Sequence, residues 1–156
     1  MTARRTAIGV IGAATATPSL RELALEVGRE IGARGATLVC GGRGGVMEAA
    51  AQGARETGGH TIGIVPSYDH ATANPHIEFV IATGMGEARN VIVVASSDAL
   101  IALAGEAGTL SEIGLALKLG RPVVALDAWA EIRGLHRAAT PRAAVELAME
   151  LARARS

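Results

Sequence analysis

Cysteine, lysine and aromatic residues are all scarce in this chain of 156 residues. Cys40 is the single cysteine, so no disulfide forms within the chain, which is consistent with a cytoplasmic protein. Lys118 is the only lysine and lies late in a predicted helix, which argues against an enzyme that binds its substrate as a lysine Schiff base. With one tryptophan, one tyrosine, one phenylalanine and a formal net charge of zero, nucleic-acid binding is not expected.

Several sequence patterns are absent as well. No run of about 18 apolar residues occurs, so we expect no membrane span. The turn after the first predicted strand lacks GxGxxG, and the chain contains neither a GxxxxGK[ST] P-loop nor a GxSxG elbow. These absences argue against the usual dinucleotide, P-loop and serine-hydrolase sites. The four histidines are not paired at metal-ligand spacing and Cys40 stands alone, so we expect no metal site.

The chain does contain a regular alternation of short apolar segments with segments of helical periodicity. Hydrophobic residues make up 49% and charged residues 19%, which indicates one globular domain over residues 1–156. Short links and continuously apolar strands predict a single-domain, Rossmann-like α/β fold: a doubly wound parallel sheet of about six or seven strands with helices on both faces. The predicted strands are 7–11, 37–40, 61–65, 77–81, 99–103 and 122–126, with a seventh near 135–137.

Helix starts are predicted from capping residues. Ser19 and Glu22 have the spacing of a capping box, which predicts that the first helix begins there, just after Pro18. Thr109 and Glu112 have the same spacing after the fifth strand and predict a helix over 109–119. Further helices are predicted over 46–57, over 87–96 and from Thr140 onward.

Two glycine turns follow predicted strands and form the candidate site. Backbone N–H groups at a helix start and the positive end of the helix dipole bind anions. In a parallel sheet, turns at the carboxyl ends of strands lie at one edge. We therefore expect both turns to bind one phosphate-type ligand, with Arg89 supplying a cation and Glu112 acting on water or on a charge forming at a sugar carbon. The turn residues predicted to bind the ligand are Gly41, Gly42, Arg43, Gly44, Gly45, Gly105, Gly108 and Thr109.

Each of these features also has a purely structural interpretation, and both interpretations stay open at this point. Glu112 is at the position of a helix-capping residue. Arg89 is of a type that usually lies on a helix surface. The glycines of 41–45 serve a turn or close packing equally well. Glu106 is unusual in an anion-binding turn, because its carboxylate repels a phosphate unless it points away.

Two stretches of the chain form a recognisable pair of motifs. The first is GGRGGVME over 41–48, and the second is AGEAGTLSE over 104–112, with Arg89 fifteen residues ahead of Ala104. In this order they resemble the signatures of the lysine-decarboxylase-like family, which includes the Lonely Guy cytokinin-activating phosphoribohydrolases and the molybdenum cofactor carrier proteins. The similarity extends over almost the whole chain. GGRGGVMEA and GMGEARN resemble most closely the short branch that holds the molybdenum cofactor carriers.

The resemblance implies a function at this site. In the hydrolases the matching arginine and glutamate are the catalytic pair, which implies that Arg89 and Glu112 cleave the N-glycosidic bond of a nucleoside 5′-monophosphate without a cofactor. In the carriers the same edge holds the phosphorylated pterin of the molybdenum cofactor and no bond is broken. Within the matched motifs, Met47, Glu48 and Asn90 are additional candidates.

The chain departs from the hydrolase pattern at three positions. Ala104 replaces a proline, Glu106 replaces the second glycine of the turn, and Asn90 stands where the hydrolases usually carry lysine. The missing lysine and the added carboxylate both reduce the positive charge available to a phosphate. Without a suitable lysine, a pyridoxal-phosphate decarboxylase is not expected.

Three functions are consistent with these residues: a phosphoribohydrolase, which we place first, a molybdenum cofactor carrier, and a nucleotide-sensing protein without chemistry. The partner in each case is a small phosphorylated ligand rather than a nucleic acid or a membrane. The resemblance also implies a homo-oligomer, either a dimer or a tetramer. Alanine-rich helices around 49–54 and 143–152 offer small faces that suit close packing.

Overall fold

A computed structural model of the protein describes residues 3–155. These residues contain one parallel sheet of seven strands, in the spatial order β4-β3-β2-β1-β5-β6-β7. The chain runs outward from β1 to β4, returns to the other side of β1, and runs outward again to β7. The predicted doubly wound Rossmann-like fold is therefore confirmed, and the order reverses between β1 and β5. The strands are β1 (Ala7–Ile11), β2 (Thr37–Cys40), β3 (His60–Val65), β4 (Phe79–Ala82), β5 (Ala99–Ala102), β6 (Val123–Leu126) and β7 (His136–Ala138).

Five α-helices lie between or after the strands in the described residues. They are α1 (Pro18–Ala33), α2 (Val46–Glu56), α3 (Asn90–Ala95), α4 (Ala107–Leu119) and α5 (Pro141–Ala154). Short 3-10 turns occupy His70–Thr72 and Gly86–Arg89. Among residues 3–155 we find no helix with both the length and the apolar character needed to cross a membrane.

The sheet separates two apolar cores. In one core, α1, α2 and α5 pack against strand side chains such as Ile8 and Ile101, which are fully buried. The other packs α3 and α4 against Ile11, Leu100 and their neighbours. Adjacent residues of a central strand thus serve opposite cores, which is why β1, β5 and β6 carry no polar side chain instead of alternating.

Three predicted helix starts differ from the structure. The first helix begins at Pro18, and Thr17 caps it by accepting a hydrogen bond from the Leu20 N–H at 3.3 Å, so the capping box at Ser19 was wrong. A proline tolerates the first helical position because its missing N–H has no partner there. Helix α4 begins at Ala107, two residues before the prediction, and no side chain caps it. Arg89 ends a 3-10 turn and precedes α3, whereas the prediction placed it inside one helix.

The two helix starts predicted from Val46 and Thr140 are confirmed. Helix α2 begins at Val46. Thr140 caps α5 by accepting a hydrogen bond from the Ala143 N–H at 3.1 Å. The seventh strand near residues 135–137 is present as β7, shifted by one residue, and β4 lies slightly later than predicted.

Candidate ligand-binding site

A cleft of about 500 Å³ opens at the carboxyl edge of the sheet, where the strand order reverses between β1 and β5. The two chain segments that leave β1 and β5 diverge toward opposite faces of the sheet, which opens a crevice between them. Its walls come from the turns after β1, β2 and β5 and from the segment just before α3. The two predicted glycine turns therefore meet at one cleft.

The turn after β1 is the centre of this arrangement. The Ala13 N–H donates to the Ala104 carbonyl at 2.8 Å, which joins the turn to the end of β5. The Ala13 carbonyl accepts from the Val46 N–H at 2.9 Å, which joins it to the start of α2. One residue thus connects all three turns through backbone hydrogen bonds, which help to fix the relative position of the cleft walls.

The second turn, Gly41–Gly45, packs directly against the first. Gly45 has a φ of +64°, and a Cβ added there would lie 2.2 Å from the Ala13 carbonyl oxygen. Only glycine accommodates both the left-handed backbone and this close approach. Asn74 holds the outer side of the turn, since its backbone N–H donates to the Gly42 carbonyl and its side chain donates to the Arg43 carbonyl.

The third turn leads from β5 into α4. A Cβ added at Gly105 would lie 2.1 Å from the Thr109 hydroxyl, so glycine there lets the turn fold back over the helix start. Gly108 and Thr109, in the first turn of α4, line the cleft. The first N–H groups of a helix have no partner within it, and together with the helix dipole they favour an anion.

Arg89 lies at the side of the cleft and is only 7% exposed. Its guanidinium donates to the Asn90 side-chain oxygen and, at 3.5 Å, to the Gly41 carbonyl. Within residues 3–155 its Nε has no hydrogen-bond partner, and the one carboxylate within 4 Å is that of Glu87, a side chain that is 85% exposed. A guanidinium has five N–H donors, so several remain unused and the charge is held mainly by neutral oxygens.

Glu112 lies in the first half of α4 and also lines the cleft, with 8% of its surface exposed. Burial raises the pKa of its carboxyl group to about 8, against the lowering effect of nearby Arg89 and with a smaller raising effect from Glu87. The carboxyl group is therefore mostly protonated at neutral pH. The structural alternative, in which Glu112 caps its helix, does not fit, because α4 begins five residues earlier and has no side-chain cap.

Cys40 lies at the end of β2 and is completely buried. Burial raises the pKa of its thiol to about 12, and Glu112 adds to the increase, while the Gly42 N–H and Arg89 oppose it. A thiol with so high a pKa is not a nucleophile at neutral pH, so Cys40 is a packing residue here. Among the residues the structure describes, no group of three or more histidine, cysteine or acidic side chains is arranged to hold a metal ion.

The rim of the cleft carries charges of both signs. Arg43 is exposed on the rim, and so are Glu87 and Glu106. Glu106 immediately precedes α4, is exposed and lines the cleft, so its charge opposes an anion at the helix start. With Glu112 protonated, two arginines face two rim carboxylates, so the cleft has cationic and anionic parts rather than a uniform positive field.

Most of the predicted site residues line this cleft, but not all. Gly42, Gly45, Gly105 and Glu48 do not reach it; the three glycines shape the turns, and Glu48 lies half-buried in the first turn of α2. The predicted residues that do line it are Gly41, Arg43, Gly44, Met47, Arg89, Asn90, Gly108, Thr109 and Glu112.

Sequence reasoning missed the first turn, where Gly12, Ala13, Ala14 and Thr15 line the cleft. The missing GxGxxG argued against a dinucleotide but not against a backbone wall of this kind. The available signal was topological: β1 is the first strand of a doubly wound sheet, and its turn lies at the reversal of strand order.

Comparisons with known proteins agree with this geometry. An uncharacterized protein of Archaeoglobus fulgidus is 46% identical over 138 residues, which are 88% of this chain and 91% of that protein. The solved structure of the molybdenum cofactor binding protein from Rippkaea orientalis is 38% identical, with a TM-score of 0.89 over 96% of this chain and 99% of that one. A cytokinin riboside 5′-monophosphate phosphoribohydrolase of Mycobacterium tuberculosis is 39% identical over 126 residues, 74% of this chain and 67% of that protein. The sequence profile of the SLOG cluster4 family matches residues 5–153, and the chain belongs to that family.

Proposed function

We propose that the protein binds a nucleoside 5′-monophosphate in this cleft and hydrolyses its N-glycosidic bond. The observation that carries the proposal is the meeting of three groups at one cleft: the start of α4, the Arg89 guanidinium and the Glu112 carboxyl group. A relative with a phosphorylated substrate supports the substrate class, since the Mycobacterium tuberculosis protein is named as a phosphoribohydrolase of a riboside 5′-monophosphate. No cofactor is needed for this hydrolysis.

The phosphate would bind at the first turn of α4. The N–H groups of Gly108 and Thr109 are at the positive end of a 13-residue helix, and both residues line the cleft. Arg89 would add a charge-assisted hydrogen bond with its unused donors. Glu106 lies at the mouth of the same turn, so its carboxylate would face solvent or a hydroxyl group of the sugar.

Glu112 would supply the proton that the leaving base needs. As the bond from C1′ to the base nitrogen breaks, its electron pair goes to the base, and the Glu112 proton is transferred there. Water forms the new bond at C1′ and returns a proton to the carboxylate, so atoms and charge balance over one turnover. A pKa near 8 suits this role, because an acid is most effective when its pKa is close to the working pH.

The proposal is tested by incubating the protein with a panel of purine and pyrimidine 5′-monophosphates and measuring the released base by chromatography. We expect release from at least one monophosphate and none from the corresponding nucleoside, which lacks the phosphate. Glu112→Gln should lower kcat by about 10²- to 10⁴-fold, the usual contribution of a general acid. Absence of base release across the whole panel would refute the enzymatic proposal.

A second candidate function is that of a carrier for a phosphorylated pterin, the molybdenum cofactor. The structural similarity to the Rippkaea orientalis protein supports it, because that similarity covers 99% of a protein described as binding molybdenum cofactor. The cleft of about 500 Å³ lies within the size range of sites that bind small molecules of this class.

The two functions are separated by ligand and by mutation. A carrier should co-purify with a pterin, detectable by fluorescence after oxidation, and should protect added molybdenum cofactor from loss of activity. It should also retain its affinity in Glu112→Gln, where no proton transfer is required. A hydrolase should release base and lose that activity in the same variant.

A further inference from the structure

A chain of hydrogen bonds links Arg89 to the start of α4, and it passes through two side chains outside the proposed chemistry. The Arg89 guanidinium donates to Asn90 Oδ1. Asn90 Nδ2 is 3.1 Å from Ser111 Oγ, and Ser111 Oγ is 2.6 Å from the Gly108 carbonyl oxygen. Gly108 lines the cleft, so the chain begins and ends at residues of the site.

Chemistry fixes the direction of every bond in this chain. A guanidinium only donates, so the Asn90 oxygen must face it and the Asn90 amide nitrogen must face Ser111. The Gly108 carbonyl only accepts, so the single hydroxyl proton of Ser111 is given to it. In its bond with Asn90, Ser111 is therefore the acceptor. Donor and acceptor cannot be exchanged in one of these hydrogen bonds without breaking the next, so the series of bonds has one arrangement.

Burial makes the Asn90 link important for the orientation of the guanidinium. Asn90 is 4% exposed and Arg89 is 7% exposed, so water does not readily replace the bond between them. Among the described residues, the guanidinium donates one further hydrogen bond, of 3.5 Å, to the Gly41 carbonyl. The carboxylate of Glu87 lies 3.9 Å away on an exposed side chain and holds it only weakly.

We propose that Asn90 and Ser111 are positioning residues, which hold the Arg89 guanidinium at a fixed place relative to the first turn of α4. The guanidinium and the helix turn can then bind one phosphorylated ligand together. The inference rests on the proposed phosphate-binding cleft and goes further by naming what aligns its two halves. Asn90 supplies a neutral acceptor, so the positive charge of Arg89 stays available to the ligand. A carboxylate at the same place would orient the guanidinium and cancel its charge.

The test measures affinity for ribose 5-phosphate by calorimetry, with ribose as the uncharged comparison. Ser111 is exposed on α4, so Ser111→Ala removes the middle link without opening a buried cavity. We expect about a tenfold loss of affinity for ribose 5-phosphate, the effect of losing one bond in a network that ends on a charged group. Ser111→Thr keeps the hydroxyl group and should stay within about twofold of the unaltered protein. Ser96→Ala, at the exposed end of α3 and outside the cleft, is the matched control and should have no effect.

Positioning is distinguished from a general structural effect in two ways. In an Arg89→Gln background, Ser111→Ala should cause no further loss, because there is no guanidinium left to orient. Asn90→Leu, which keeps the side-chain size and removes both bonds, should lose affinity at least as strongly as Ser111→Ala. Equal affinity in Ser111→Ala and the unaltered protein, or the same loss with and without Arg89, would overturn the inference.

The outcome is separate from that of the proposed hydrolysis. Binding of ribose 5-phosphate that depends on Ser111, together with no base release from any monophosphate, would refute the enzymatic function and support the positioning role. Failure of the unaltered protein to bind ribose 5-phosphate would overturn the positioning role itself.

Discussion

Glu112 gives the clearest quantitative prediction, because its burial links ligand chemistry to folding stability. The folded protein holds the Glu112 proton up to a pKa of about 8, whereas the same group in the unfolded chain releases it near 4.5. Between these values the unfolded state binds fewer protons than the folded state. The free energy of unfolding contributed by this group is therefore highest below about pH 4.5, falls as the pH rises, and is lost by about pH 8.

The magnitude follows from the pKa difference. One pKa unit corresponds to about 1.4 kcal/mol. At pH 7 the group is ionised in the unfolded chain and mostly protonated in the folded protein, so the free energy of unfolding is lower than at pH 4.5 by about 3 kcal/mol. Glu112 faces an open cleft, where water screens part of this effect, and we expect about 2 kcal/mol. Glu112→Gln replaces the carboxyl group by a neutral group of the same shape and should recover this stability. The variant should thus equal its parent near pH 4.5 and exceed it by about 2 kcal/mol at pH 7.

The assay is urea unfolding of both proteins at several pH values between 4.5 and 8.5. Glu150→Gln is the matched control, because it removes one carboxyl group from an exposed position on α5 and should follow the parent at every pH. A difference between Glu112→Gln and its parent that does not change with pH would refute the reasoning, since it would mean that Glu112 ionises alike in both states.

Three further predictions concern other parts of the site. If Glu112 donates a proton, kcat for base release should fall as the pH rises through about 8; a rate that increases over this range would instead indicate an ionised carboxylate. Gly45→Ala adds a clash with the Ala13 carbonyl to the cost of a positive φ, so by urea unfolding it should lose about 2 kcal/mol more stability than Gly58→Ala, where φ is +78° and nothing lies within 4 Å. The buried Cys40 thiol should not react with Ellman's reagent at pH 8 in the folded protein and should react fully in urea; rapid reaction of the native protein would contradict its burial.

The amino-acid sequence determined the fold class and the location of the site. Continuous apolar strands separated by amphipathic helices favour a parallel sheet with both faces covered, and this pattern depends only on local periodicity and burial. Glycine turns after strands then predict a candidate site at the carboxyl edge of the sheet. Arg89 and Glu112 were candidates from their places beside the glycine turns, the family resemblance implied their catalytic roles, and both line the cleft.

Helix starts were less predictable, because capping patterns overlap. Ser19 and Glu22 have the correct spacing for a capping box, yet Thr17 two residues earlier caps the helix, since Pro18 suits the first helical position. Thr109 and Glu112 have the same spacing and are both turned into the protein interior. A local pattern cannot distinguish a side chain that caps a helix from one that is buried beside a ligand cleft.

Only the tertiary structure decided which turns meet and what surrounds each charged group. The wall formed by Gly12–Thr15 depends on the strand order, which sets β1 beside β5 although 87 residues (12–98) lie between Ile11 and Ala99 in the sequence. The high pKa of Glu112 depends on desolvation by neighbours from several elements, and the link from Asn90 to Ser111 joins residues 21 positions apart. Periodicity is a property of neighbours in the chain, whereas burial, electrostatics and hydrogen-bond networks are properties of neighbours in space.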